Sequence, residues 1–275
     1  MQKKAFSVLN VVSAIAITAI AVSVVAAGSK IISKADNVAS QWKTQTAIQS
    51  SSQNSQSAYD CSGGTIDSTS ASGYIVHIFS EVGANFQFSC TSDKRVEYLV
   101  VGGGGSSNGA SWNGGGGGGG GVSGNVDITS GSNYIIAVGD GGDPSSSTTQ
   151  DGQPSSITIN QTIISQANGG YANIGMMGGN SGNGYTGGDT DNDGEAGGGG
   201  AGCDGNGGNA NGVTPGSGGY GIVYNITGTM VEYCKGGSGG PLASPQAGPA
   251  NSGWGADAGG YSGGSGIVII RYSST

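Results

Sequence analysis

Val96-Glu97-Tyr98-Leu99-Val100-Val101 runs directly into Gly102-Gly103-Gly104-Gly105, and eight consecutive glycines follow at residues 114–121. The apolar run is β-branched and aromatic, which suits a pleated strand, whereas the glycines have no side chain to bury. Ordering each glycine costs roughly 0.5–1 kcal/mol more than ordering an alanine. Folded glycine runs therefore need a physical reason. Close packing of polyproline-II-type helices supplies one, because they turn every three residues and make no internal hydrogen bonds. Their N–H and C=O groups can pair sideways only where side chains are missing.

Working outward, further strand-like runs lie at 74–79, 85–89, 134–138, 156–159, 222–226 and 267–272, punctuated by Gly, Asn, Asp or Ser. A flexible linker does not carry seven such signals together with an even set of cysteines. The chain has 275 residues and 60 glycines, all but Gly28 falling from Gly63 onward. With 6 prolines and no Gly-X-Y period it is not collagen. It carries 17 acidic and 9 basic residues, a net charge of −8. Beyond residue 60 the only Lys or Arg are Lys94, Arg95, Lys235 and Arg271, too few for a phosphate-binding patch, so no nucleic acid is expected as partner.

The first fifty residues obey different physics. From Ala5 to Ala27 there is no charge, Gly or Pro, and the 25 residues between Lys4 and Lys30 would span about 37 Å as a helix, enough to cross a bilayer. Lys3 and Lys4 keep the N-terminus on the cytoplasmic side. Ile31, Ile32, Ala35, Val38, Ala39 and Trp42 continue a helical spacing, and the Ser/Gln/Asn stretch at 49–57 reads as a linker. A cleaved signal peptide with Val25 and Ala27 before the cut, a plain signal anchor and a processed pilin leader all remain open on these residues.

The short basic leader, Ala5, and Phe6-Ser7-Val8-Leu9 opening a long apolar helix resemble a type IV pilin. That resemblance implies cleavage between Ala5 and Phe6, with the helix serving first as inner-membrane anchor and then as filament core against other pilin subunits. The family pattern places Gly before the cut and Glu at the fifth mature position, where this chain has Ala5 and Asn10.

A second resemblance starts beyond the linker. The 96–105 stretch, Asn125-Val126-Asp127-Ile128 through Tyr134-Ile135-Ile136-Ala137-Val138-Gly139, and Gly263-Gly264-Ser265-Gly266-Ile267-Val268-Ile269-Ile270-Arg271-Tyr272 are similar to the glycine-rich domain of phage tail and bacterial surface proteins. Relatives of the T-even tail-tip adhesin type imply a polyglycine-II sandwich whose loops bind a host-surface receptor.

Cys61, Cys90, Cys203 and Cys234 all follow the apolar segment, as disulfides outside the cytoplasm would. Four cysteines allow three connectivities. Proximity favours Cys61 with Cys90 and Cys203 with Cys234, each worth roughly 3–4 kcal/mol by the chain-entropy estimate. Asp189, Asp191, Asp193 and Glu195, with Gly194 between, resemble the opening of a calcium loop, although Gly200 stands where a bidentate acid belongs. Ca2+ is the one cofactor this run admits. Against it stands a solvated acidic loop.

Cys234-Lys235-Gly236-Gly237-Ser238-Gly239-Gly240 is similar to the nucleophile segment of chymotrypsin-like proteases, but Gly237 replaces the usual Asp and His77 lies in a plain strand pattern. Trp112, Tyr171, Tyr185, Tyr220, Trp254 and Tyr261 sit among glycines, where aromatics suit receptor contact or cap the ends of the scaffold.

The expected fold class is a long N-terminal α-helix plus a mainly β, glycine-rich domain with polyglycine-II helices. Its divisions are a leader at 1–5, a helix at 6–50, a linker at 51–63 and the glycine-rich domain at 64–275. The expected function is that of a minor tip pilin or pilin-like adhesin, not an enzyme, binding a glycan or outer-membrane protein on a host or recipient cell. It would be anchored in the inner membrane before assembly and extracellular afterwards. A structural spacer or self-assembling surface protein is the alternative.

Overall fold

The computed structural model describes residues 59–109, 112–144, 150–191 and 193–274. These residues form twelve strands: β1 (Cys61–Ser62), β2 (Thr65–Asp67), β3 (Tyr74–Phe79), β4 (Gly83–Cys90), β5 (Lys94–Val101), β6 (Gly121–Ile128), β7 (Tyr134–Val138), β8 (Ser155–Ile159), β9 (Thr162–Ala167), β10 (Ile222–Tyr224), β11 (Val231–Tyr233) and β12 (Ile267–Ser273). Two antiparallel five-stranded sheets, ordered β1-β4-β7-β8-β9 and β2-β3-β12-β5-β6, make a sandwich, and β10-β11 is a separate hairpin.

The sandwich interior follows from period-two patterning. Ile75 and Phe79 of β3, Val96 and Val100 of β5, and Val268, Ile270 and Tyr272 of β12 meet Phe88, Tyr134, Ile136 and Ile157 of the facing sheet. Each such buried side chain contributes roughly 1.5–3 kcal/mol. Strand β12 is buried on both faces, which explains its unbroken apolar run: Ile267 and Ile269 point the other way, into a second cluster with Val76, Leu99, Ile226, Tyr233 and Cys234.

Arg271 fixes that outer layer. Its guanidinium donates to Glu97 at 2.8 Å and to the carbonyls of Asn225 and Ile226 at 3.1 Å, and lies 4.5 Å from the Tyr74 ring centroid. The disulfides join Cys61 to Cys90 across the β1–β4 register and Cys203 to Cys234 beneath the hairpin. Cys61–Ser62 is thus a strand within the domain, although the sequence reading puts it in the 51–63 linker.

The expected fold class needs correction. The helix expected at 6–50, with Ala5 and Phe6 at its start, lies outside the described residues. Among the described residues there is no α-helix, and the regular structure is β-strand. The glycine runs do not bond within themselves as an α-helix must; each amide turns outward to a different segment.

Those outward bonds build the second half of the domain. The connections β5–β6, β7–β8, β9–β10 and β11–β12 all leave the same end of the sandwich, and their described residues run largely as extended glycine segments. Residues 114–120 form the central rod. Gly114, Gly117 and Gly120 donate to Gly175, Tyr171 and Asn168; Gly115 and Gly118 to Gly198 and Ala201; Gly116 and Gly119 to Ala256 and Gly253. The partners change with a period of three, so the chain turns once every three residues. The same rod accepts bonds from Gly102 and Gly105, from Gly179 and Gly182, and from Gly237. Six neighbouring segments surround it, which is possible because a Cβ built at any of Gly114 to Gly119 would fall within 3.0 Å of a neighbour's carbonyl.

Candidate functional site

Each rod that leaves the sandwich must turn back, and the turns gather at the far end. Gly102 pairs with Gly120 beside the sheets, whereas Asn113 and Gly114 pair with Gly240 and Gly175 at the outer end. The outer loops include 108–109, 112–113, 174–177, 189–191, 193–196, 211–214, 240–246 and 258–261. They are knitted together: Gly198 N–H donates to Met176 O at 2.8 Å, Gly240 N–H to Asn113 O at 2.9 Å, and Ala210 N–H to Asp189 O at 2.9 Å.

Large apolar side chains stand on this end. Ile174 is 78% exposed, Val213 69%, Trp112 53% and Met177 49%. Ile174 and Met177 close a tight turn in which Gly175 takes φ 58°, and Asn211 and Thr214 close another around Gly212 at φ 56°. Glycine adopts those angles with the least strain, and the neighbouring apolar side chains Ile174 and Val213 stand exposed on these turns.

The six aromatics of the sequence reading do not form one site. Trp112 and Tyr261 lie at the outer end, where Tyr261 N–H donates to Ser107 Oγ at 3.1 Å. Tyr171 lies midway along a rod, with its carbonyl bonded by Gly117. Tyr185 and Tyr220 lie near the sandwich end, beside the turns at Ser181 and at Gly202–Gly205. Trp254 is structural: its Nε1–H donates to the Glu232 carbonyl at 3.0 Å, and the Lys235 ammonium sits 5.1 Å from its ring centroid. Sequence reasoning missed Ile174, Met176, Met177 and Val213. Their signal was an apolar residue beside a single glycine between two glycine runs, where solvation favours polar residues.

In the acidic loop, the Asp191 carboxylate accepts the Glu195 N–H at 3.1 Å and Thr190 Oγ1 donates to the Ala196 carbonyl at 2.9 Å. Asp189, Asp193 and Glu195 are exposed. Among the described residues no three His, Cys, Asp or Glu side chains come together as a group able to hold a metal ion. Ser238 lies in a rod with its N–H on Asp257 Oδ1 at 2.8 Å, while His77 is buried in the sandwich with Nδ1 2.7 Å from the Gly63 carbonyl. The structure records no contact between that serine and that histidine.

A β-sandwich extends glycine rods from one end, and some of its exposed apolar side chains, Trp112, Ile174, Met177 and Val213, stand at their outer turns, while others such as Val82, Ile163, Val223 and Met230 lie elsewhere. No curated protein and no solved structure matches the chain. A family profile does: this chain belongs to the glycine-rich domain family, whose profile matches residues 80–273.

Proposed function

We propose that this protein is a noncatalytic surface adhesin in which the outer loops of the glycine rods meet a receptor on another cell. One observation carries the reading: Trp112, Ile174, Met177 and Val213 are exposed at one end of a scaffold whose backbone is bonded on all sides. Exposed apolar groups on rigid supports suit recognition, because little entropy is lost when they are covered. The tail-tip-like sequence of the glycine-rich domain supports the same role. The pilin-like start at Ala5 and Phe6 supports placement as a minor subunit at the tip of a type IV-like filament, anchored in the inner membrane before assembly and extracellular after it.

The test compares attachment to recipient cells by cells making the full chain, a chain lacking residues 64–275, or the variant Trp112→Ser/Ile174→Ser/Met177→Ser. We expect attachment to be lost with both altered chains while the serine variant stays folded and surface-displayed. Equal attachment by all three overturns the adhesin reading and leaves a spacer role. N-terminal sequencing of the mature protein tests the pilin assignment, which requires Phe6 as first residue.

A further inference from the structure

The outer end has a one-sided charge. Between residues 96 and 270 the single basic residue is Lys235, and it is held over Trp254. The exposed carboxylates of Asp189, Asp193 and Glu195 belong to no ion pair among the described residues. Their loop touches Met176, the neighbour of the exposed Met177. Thr190 Oγ1 lies 4.0 Å from Met176 Sδ, a Cβ at Gly194 would meet the same sulfur at 3.9 Å, and Gly197 packs on the Asn113 and Trp112 carbonyls. The acidic loop therefore adjoins both the Met176 turn and the Trp112 segment at this end.

We infer that this surface docks a basic protein segment, one in which Lys or Arg side chains are flanked by aliphatic residues. The inference rests on the adhesin reading and names the chemistry of its partner. Three facts select that partner. Carboxylates repel phosphate-bearing lipids and anionic polysaccharides, and among the described residues no free cation at this end offsets the repulsion. Ile, Met and Val offer aliphatic and thioether surface, which complements protein side chains better than sugar hydroxyls. The neighbouring carboxylates supply the counter-charge that steers a cationic segment onto the apolar patch.

The test uses the full chain and three short immobilised peptides: alternating Lys and Leu, alternating Lys and Ser, and alternating Glu and Leu. The tip variant is Asp189→Asn/Asp193→Asn/Glu195→Gln; Asp191 is kept because it holds the loop through the Glu195 N–H. The control variant, Glu81→Gln/Asp127→Asn/Asp204→Asn, removes the same charge from exposed sites elsewhere. The expected result is tightest binding to Lys/Leu, about tenfold weaker binding by the tip variant, and no loss by the control. Ile174→Ser/Met177→Ser should remove the preference for Lys/Leu over Lys/Ser. Equal losses by tip and control variants, unchanged binding by the tip variant, or no preference among the peptides overturns the inference. Those outcomes leave the adhesin reading standing, because cell attachment is read separately.

Discussion

His77 has one polar neighbour and a second nitrogen with none. Its Nδ1–H donates to the Gly63 carbonyl at 2.7 Å, its ring stacks on Tyr272 and meets the edge of Phe88, and Nε2 is buried without a partner. Burial therefore holds its pKa below the ordinary 6.5, the Gly63 bond opposing only in part. In the unfolded chain it protonates near pH 6.5, so the unfolded state binds the extra proton first as the pH falls. Stability is complete above that pH and drains away below it, at about 1.4 kcal/mol for each unit of depression. Asp67 titrates elsewhere: bonds from Ser70 and Thr69 hold its carboxyl far below the carboxylate range. A melting series from about pH 7.5 to pH 5 should show a falling Tm. His77→Phe should flatten that slope, and an unchanged slope would assign it to another group.

At the scale of elements, the rods are specified by the absence of side chains. Gly116 donates to Ala256, accepts from Gly237, and would aim a Cβ at the Gly105 carbonyl. Gly109, in an outer loop, has nothing within 4 Å of the same position. Gly116→Ala should therefore lower stability by about 3 kcal/mol or prevent folding, while Gly109→Ala should change it by less than about 0.5 kcal/mol, measured by denaturant unfolding.

The same contrast explains what could be read beforehand. Strand β7 at Tyr134–Val138 and the two cysteine pairs were legible because β-branched alternation and short loop spacing leave local traces. Strand β9 was not, because Asn160 and Gln161 both take positive φ, 48° and 65°, in a two-residue turn that usually demands glycine. The first half of β6 was hidden because the strand begins at Gly121, inside the glycine run. The apolar outer turns leave a local trace, an apolar residue beside a lone glycine, but their exposure depends on where the rods end, which that trace does not record. Even the receptor candidates at Tyr185 and Tyr220 were separated from Trp112 by that direction of travel.

At the scale of the whole molecule, the central rod is tied to both sheets. Residues 114–120 are buried, donate to three neighbours and accept from three others. Those neighbours continue into the sandwich: Gly102 follows β5 directly, Gly120 precedes β6, and Gly266 precedes β12. Releasing the central rod strips partners from segments rooted in both sheets, where Val100, Ile136 and Ile270 are fully buried. Local opening is expected where backbone bonds are few and solvent is near, and cooperative opening where neither holds. Native-state amide exchange should therefore give residues 114–120 the same opening free energy and denaturant dependence as β12. The outer-turn amides of Gly212 and Val213 should exchange freely. If 114–120 instead opened at a lower free energy than β12, the rods would be a separate unit resting on the sandwich. The outer loops would then lose the rigid support on which recognition at that end depends.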